Sequence, residues 1–140
     1  MIHPTGVMER EYLIVDDEPD LCWVLKNLLT SKGLRCQTAE TAQAALALMQ
    51  GHRFQLALLD VTLPDMNGLE LARRLHQLDP LLRFVIISGY LSTETTAAVR
   101  VRAEGPICAC INKPFLHEEI LGVIRHLAPG DGARPQQAAS

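Results

Sequence analysis

Apolar residues follow two alternating patterns along the chain: short continuous runs, and longer stretches in which they recur every three or four positions. Most of the runs are continuous, which indicates strands of a parallel sheet that is covered on both faces. The runs cover residues 12–15, 34–38, 56–59, 84–87 and 107–111. We therefore predict five strands that alternate with helices.

The stretches between the runs carry the spacing of amphipathic helices, with apolar residues at i, i+3, i+4 and i+7. Pro19 is typical of a helix start and Gly33 of a helix end. Right-handed crossovers between such strands predict an α/β fold, a single doubly wound five-stranded parallel sheet with helices on both faces. The predicted helices, of which the fourth is weak, cover residues 19–32, 42–49, 71–78, 93–102 and 116–127.

The bulk composition limits the class of protein. A chain of 140 residues with 48% apolar content suits one domain with a buried core. Residues 1–10 are predicted to be a flexible leader and residues 129–140 a linker-like or disordered tail, which leaves a domain over 11–128. A net charge of -3 argues against direct nucleic acid binding. Since neither a signal peptide nor a long apolar run is visible, we expect no membrane insertion and a cytoplasmic location.

The four cysteines, at positions 22, 36, 108 and 110, form no CxxC pair and have no histidine cluster beside them. This spacing does not suit a zinc site. We predict buried, reduced thiols, as is usual for a protein of the cytosol.

The strand ends carry the candidate chemistry, because ligands of doubly wound sheets bind beyond the carboxyl ends of the strands. Asp16 and Asp17 follow the first strand, Asp60 ends the third, Ser88 the fourth and Lys113 the fifth. Two carboxylates about 4 Å apart repel each other by about 4 kcal/mol at an effective dielectric constant of about 20, so such a group attracts a cation. Oxygen ligands of this kind suit Mg²⁺, and a carboxylate beside the ion is a credible nucleophile for phosphoryl transfer.

Four segments in order resemble the receiver domain of bacterial two-component response regulators: IVDDE at 14–18, LLDVTLPDMNGLELA at 58–72, VIISGY at 85–90 and NKPF at 112–115. One such motif alone is weak, but each stands at a predicted strand end, and the set is specific. The resemblance covers roughly residues 11–128. It implies the flavodoxin-like strand order 2-1-3-4-5. It also implies a phosphoacceptor signalling switch of a two-component phosphorelay rather than an enzyme.

The resemblance assigns roles by position. It implies that a sensor histidine kinase or a phosphotransfer protein phosphorylates Asp60, that Lys113 contacts the phosphoryl group, and that Mg²⁺, or Mn²⁺ in its place, is the cofactor. The metal ligands would be Asp60 and Asp17 directly, Asp16 through a water molecule, and Thr62 through its backbone carbonyl. The output partner or domain is unknown. A homodimer through the fourth helix, the fifth strand and the last helix is a further expectation.

The switch residues depart from the family pattern. Ser88 matches the switch hydroxyl, but Cys110 stands where the family commonly has an aromatic residue that moves with that hydroxyl. The usual coupling is therefore in doubt, and Tyr90 is either its substitute or a residue of the pocket rim. The resemblance also implies a cis bond between Lys113 and Pro114.

Simpler interpretations stand beside these roles. The acids at 16–17 could only cap the first helix, since acids favour helix N-termini. Asp65, Asn67 and Gly68 are predicted to be turn and helix-cap residues. Trp23 is predicted to pack within the first helix face rather than to bind a ligand.

Two other functions remain open. A receiver-like domain could signal by binding alone, without phosphate, and Cys110 favours this alternative. An aspartate-nucleophile phosphatase is less favoured, because the haloacid-dehalogenase-like class needs a second aspartate two residues after the nucleophile. This chain has Thr62 at that position.

Overall fold

The computed structural model describes residues 10–89 and 107–127, which contain five strands and four helices, none of them long and apolar enough to cross a membrane. The strands are β1 (Glu11–Val15), β2 (Cys36–Ala39), β3 (Phe54–Asp60), β4 (Arg83–Ser88) and β5 (Ile107–Asn112). The helices are α1 (Pro19–Ser31), α2 (Ala42–Leu48), α3 (Gly68–Leu78) and α4 (His117–Leu127). The helix predicted at 93–102, Tyr90, most of the leader and the tail lie outside the described residues.

The sheet is parallel throughout, in the order β2-β1-β3-β4-β5. One apolar cluster joins one face of the sheet to α2 and α3, and a second joins the other face to α1 and α4. All five residues of β1 are buried, and the four that follow Glu11 form the continuous apolar run at 12–15. The predicted doubly wound fold and its strand order are confirmed.

β2 begins two residues later than its apolar run predicted, because the first residue of that run, Leu34, is hydrogen-bonded to the end of α1. Gly33 adopts a positive φ of 81°. The Leu34 N–H donates to the Leu29 carbonyl at 3.1 Å, and the Gly33 N–H donates to the Thr30 carbonyl at 2.9 Å. This pair of bonds is the Schellman arrangement, in which a glycine reverses the chain after a helix. β2 therefore begins at Cys36, directly after Arg35, whose carbonyl accepts from the Tyr12 N–H at 2.8 Å.

The prediction that Trp23 packs on the first helix face is wrong. Its side chain is 68% exposed, and α1 buries Cys22, Leu25 and Leu29 instead. Apolar neighbours in the sequence made Trp23 a candidate for packing. It lies on a different face of α1 from Cys22, Leu25 and Leu29, however, and this face is exposed to solvent.

The prediction of buried thiols is confirmed for two of the three cysteines whose side chains the structure describes. Cys22 and Cys36 are buried, Cys110 is half-buried, and none of these three forms a disulfide. Burial raises the pKa of the Cys22 thiol to about 11, so this thiol stays protonated at neutral pH.

Candidate functional site

Three carboxylates meet at the carboxyl edge of the sheet. β1 and β3 pair in parallel with Val15 opposite Leu59, so the residues that follow, Asp16 and Asp60, stand side by side at the two strand ends. One carboxylate oxygen from each of Asp16, Asp17 and Asp60 lies within 4.8 Å of the others. The strand register thus brings together the acids that the sequence placed at this edge.

Two of these carboxylates are buried. Asp16 is 2% exposed and Asp60 is 6% exposed, whereas Asp17 faces solvent. Burial raises the pKa of Asp16, although hydrogen bonds from Lys113 and from the Glu18 N–H oppose the change. Buried negative charge is costly unless a cation stands beside it.

Lys113 supplies that cation. Its Nζ lies 2.7 Å from Asp16 Oδ2, 3.3 Å from Asp60 Oδ2 and 3.3 Å from Glu18 Oε1. Burial acts to lower the pKa of Lys113, but the hydrogen bond to Asp16 and the charges of Asp16 and Asp60 outweigh burial, so the pKa is raised. The ammonium is therefore charged, and it bonds two of the three carboxylates that could hold a metal ion.

The loop after β3 holds Asp60 in place. The Thr62 N–H donates to Asp60 Oδ1 at 3.1 Å, while Lys113 bonds Oδ2. The Gly68 N–H donates to the Val61 carbonyl at 2.6 Å, and a Cβ on Gly68 would lie 2.1 Å from the Asp60 carbonyl oxygen. This close approach requires glycine, and it fixes the start of α3 against the site.

The predicted cap residues of this loop serve two helices. Asn67 Oδ1 accepts a hydrogen bond from the Leu69 N–H at 2.7 Å and so caps α3. Asp65 instead accepts from the N–H groups of Ala42 at 2.9 Å and Gln43 at 3.0 Å, and these bonds lower its pKa. The loop that follows Asp60 is thereby tied to α2 as well as to α3.

The ends of β4 and β5 complete the edge. Ser88 is 2% exposed, and its backbone carbonyl accepts from the Lys113 N–H at 2.9 Å. The bond between Lys113 and Pro114 is cis, as the resemblance implies. Cys110 packs against the apolar cluster on the α2 and α3 face, beside Ile86 of β4. Since Tyr90 lies outside the described residues, its role and the coupling of Ser88 to an aromatic residue stay predictions.

Two contacts of the site had no assignment from the sequence. Glu18 bonds Lys113 from 95 residues away, and its only sequence signal is its place as the third acid of a run. Asp65 caps a helix 23 residues earlier in the chain, for which no local sequence signal exists.

The donor set suits a hard divalent cation. The carboxylates of Asp16, Asp17 and Asp60 provide oxygen ligands at short range, and exposed Asp17 leaves room for metal-bound water. Mg²⁺ prefers such oxygen ligands and keeps part of its hydration shell. Thr62 lies in the same loop as Asp60 and has a backbone carbonyl to offer.

Comparisons with known proteins agree with this geometry. A family model described as the response regulator receiver domain matches residues 12–125. A response regulator receiver protein of Anaeromyxobacter sp. (strain Fw109-5) is 36% identical over 112 residues, which cover 80% of this chain and 46% of that protein. The nitrogen assimilation regulatory protein NtrX of Azorhizobium caulinodans is 36% identical over 110 residues, which cover 77% of this chain and 24% of that protein. The chain thus spans less than half the length of these two relatives.

A solved structure is similar over most of the chain. The crystal structure of a response regulator receiver domain protein (CheY-like) from Methanospirillum hungatei JF-1 has a TM-score of 0.75 and 32% sequence identity to this chain. The match covers 84% of this chain and 91% of that one.

Proposed function

Because the chain belongs to the response regulator receiver domain family, a regulatory signalling module rather than a catalytic enzyme, we propose that it is a phosphoacceptor switch of a two-component phosphorelay. A sensor histidine kinase or phosphotransfer protein donates the phosphoryl group, and Asp60 accepts it. The modification then changes affinity for an output partner, which requires a coupling free energy of about 1–3 kcal/mol. We take the domain to span residues 11–128 and the location to be the cytoplasm, as the sequence indicates.

The contact between Asp60 and Lys113 inside the acidic group carries this proposal. Asp60 is 6% exposed, its Oδ1 accepts from the Thr62 N–H, and its Oδ2 lies 3.3 Å from the Lys113 ammonium. A carboxylate held in this way has a fixed orientation for attack on phosphorus. The ammonium is within reach of the phosphoryl oxygens that the attack would add.

In the transfer step, an Asp60 oxygen attacks phosphorus while the P–N bond of the donor phosphohistidine breaks, and the ring nitrogen leaves with the electron pair. The new group carries about -1.5 to -2 charges at neutral pH. The Lys113 ammonium pairs with that charge, and the Ser88 hydroxyl donates a hydrogen bond to a phosphoryl oxygen.

The metal ligands are part of the proposal. Asp17, Asp60 and the Thr62 carbonyl would hold Mg²⁺ directly, and Asp16 would bond it through water, with Mn²⁺ as a substitute. The support is the set of carboxylate oxygens within 4.8 Å of one another. A bound Mg²⁺ neutralises negative charge on phosphoryl oxygens during transfer.

Acetyl phosphate with Mg²⁺ tests the proposal, with intact-protein mass spectrometry as the measurement. The unmodified chain should gain one phosphoryl group, and the gain should disappear with EDTA or in Asp60→Asn. Asp20→Asn is the matched control, because Asp20 is an exposed acid of α1 outside the group of three carboxylates. No label on the unmodified chain, or equal label on Asp60→Asn, would refute the proposal.

A phosphate-independent interaction module is the second candidate, and the half-buried Cys110 favours it because a thiol lacks the bulk of the aromatic residue common at this position. Equal partner affinity before and after phosphorylation would support this second candidate. A homodimer that forms only after phosphorylation would support the first.

A further inference from the structure

Lys113 has a third acidic neighbour outside the group of three carboxylates. Glu18 Oε1 lies 3.3 Å from Lys113 Nζ, and the Glu18 side chain is 64% exposed. The other two acids bonded to Nζ have side chains that are 3% exposed for Asp16 and 7% exposed for Asp60. The ammonium is thus shared between two buried acids and one acid at the solvent boundary.

Glu18 occupies a position where a side chain usually bonds its own helix. It is the N-cap residue of α1 with an extended backbone, yet its carboxylate makes no capping hydrogen bond within the described residues. The N–H of Leu21, at the third helical position, donates to the Glu18 backbone carbonyl at 3.1 Å rather than to its carboxylate. The local helix therefore does not account for the direction of the Glu18 carboxylate, whereas the contact with Lys113 does.

We propose that Glu18 is a positioning residue for Lys113 and competes with the phosphoryl group for its ammonium. This inference rests on the proposed function. An ammonium has three N–H donors, and the structure directs them at Asp16, Asp60 and Glu18. A phosphoryl group on Asp60 needs at least one of these donors. Every donor that stays with Glu18 is withheld from the phosphoryl oxygens.

The expected size of the effect follows from the exposure of Glu18. Water and salt screen an ion pair with one exposed partner, and such pairs change an equilibrium by about two- to fivefold. Glu18→Gln should therefore lower the Kd of beryllium trifluoride, a mimic of the phosphoryl group on a carboxylate, by about two- to fivefold at saturating Mg²⁺. The Kd of Mg²⁺ alone should stay the same or rise, because the variant loses a negative charge near the cation.

Isothermal titration calorimetry on the full chain measures both constants. Asp20→Asn is the matched control, since it removes the same charge from an exposed acid in the first turn of α1 that is not among the acids bonded to Lys113. We expect Asp20→Asn to keep the beryllium trifluoride Kd of the unmodified chain. Thermal unfolding should show one cooperative transition for both variants, so that a change in Kd does not reflect loss of the fold.

The outcomes separate this inference from the proposed function. Equal shifts of the beryllium trifluoride Kd in Glu18→Gln and Asp20→Asn would reveal a general charge effect. Weaker or unchanged binding of beryllium trifluoride to Glu18→Gln would exclude competition. Either result overturns this inference and leaves the proposed function intact. If the unmodified chain binds no beryllium trifluoride with Mg²⁺, or if Asp60→Asn binds it equally well, the proposed function fails as well.

Discussion

Replacement of Lys113 by methionine tests how the fold tolerates its buried acids. The carboxylate oxygens of Asp16 and Asp60 lie within 4.8 Å of each other, a distance at which two unit charges repel by about 3.5 kcal/mol at an effective dielectric constant of about 20. Removal of one partner from a buried ion pair costs about 3–5 kcal/mol. Since the Lys113 side chain is 17% exposed and Asp17 faces water, screening reduces that cost. We expect Lys113→Met to lose about 2–3 kcal/mol in metal-free protein.

Urea unfolding in EDTA, followed by circular dichroism, measures this loss. Lys26→Met is the matched control, because Lys26 is an exposed lysine of α1 and undergoes the same chemical change. Mg²⁺ should then stabilise Lys113→Met more than it stabilises the unmodified chain, since the ion no longer competes with an ammonium for the same carboxylates.

Two results would refute this reasoning. Equal stability of Lys113→Met and Lys26→Met in EDTA would show that the ammonium does not offset the buried charge. A stability loss that Mg²⁺ leaves unchanged would show that the loss comes from packing of the lysine stem rather than from charge.

Two further predictions concern positions around the site and at the opposite end of β1. Gly68→Ala should lose about 1–3 kcal/mol in urea unfolding, because its Cβ would lie 2.1 Å from the Asp60 carbonyl oxygen. Gly122→Ala in α4, where a Cβ meets nothing within 4 Å, should be neutral or stabilising, and an equal loss in both variants would contradict the packing argument. Burial acts to raise the pKa of Glu11, but hydrogen bonds from neighbouring side chains outweigh burial, so the pKa is lowered. The ionised Glu11 side chain therefore stabilises the fold above the ordinary glutamate pKa. This stabilisation is lost as pH falls through the lowered pKa. Glu11→Gln should therefore be less stable at neutral pH and lose less stability on acidification, and an acid response equal to that of the unmodified chain would refute this assignment.

Much of the site could be predicted from the sequence, because the carboxyl ends of parallel strands lie at the same edge of the sheet. The apolar runs located the strands, and the residues at or just after the strand ends, Asp16, Asp60 and Lys113, needed only the sheet to meet. The continuous apolar runs sufficed for this step, since strands of a parallel sheet covered on both faces are apolar along their length and end where polar residues begin. The start of β2 was harder to predict, because positive φ at Gly33 is a property of the helix end and not of the apolar run.

The rest depended on contacts between distant segments. Asp65 reads as a turn residue in its own loop, and only the folded chain brings it to the N-terminus of α2. Trp23 reads as apolar and helical, but the exposed fraction of a side chain depends on which neighbouring element covers it. Glu18 reads as one more acid, and its contact with Lys113 requires β1 and β5 to end at the same edge.

The charge balance of the edge links these contacts to the proposed switch. Burial of Asp16 and Asp60 destabilises the fold unless a cation is present, and two cations could serve: the Lys113 ammonium and a divalent ion from solvent. Lys113 bonds Asp16 and Asp60, and a divalent ion would draw on the same two carboxylates, so a bound ion would weaken the hold of the acids on the lysine. A phosphoryl group on Asp60 would attract the Lys113 ammonium that the acids release in this way. Glu18 would still compete for that ammonium. On this reasoning the metal ion, the lysine and the phosphoryl group are coupled through shared carboxylates, and this part of the switch requires no aromatic side chain at the position of Cys110.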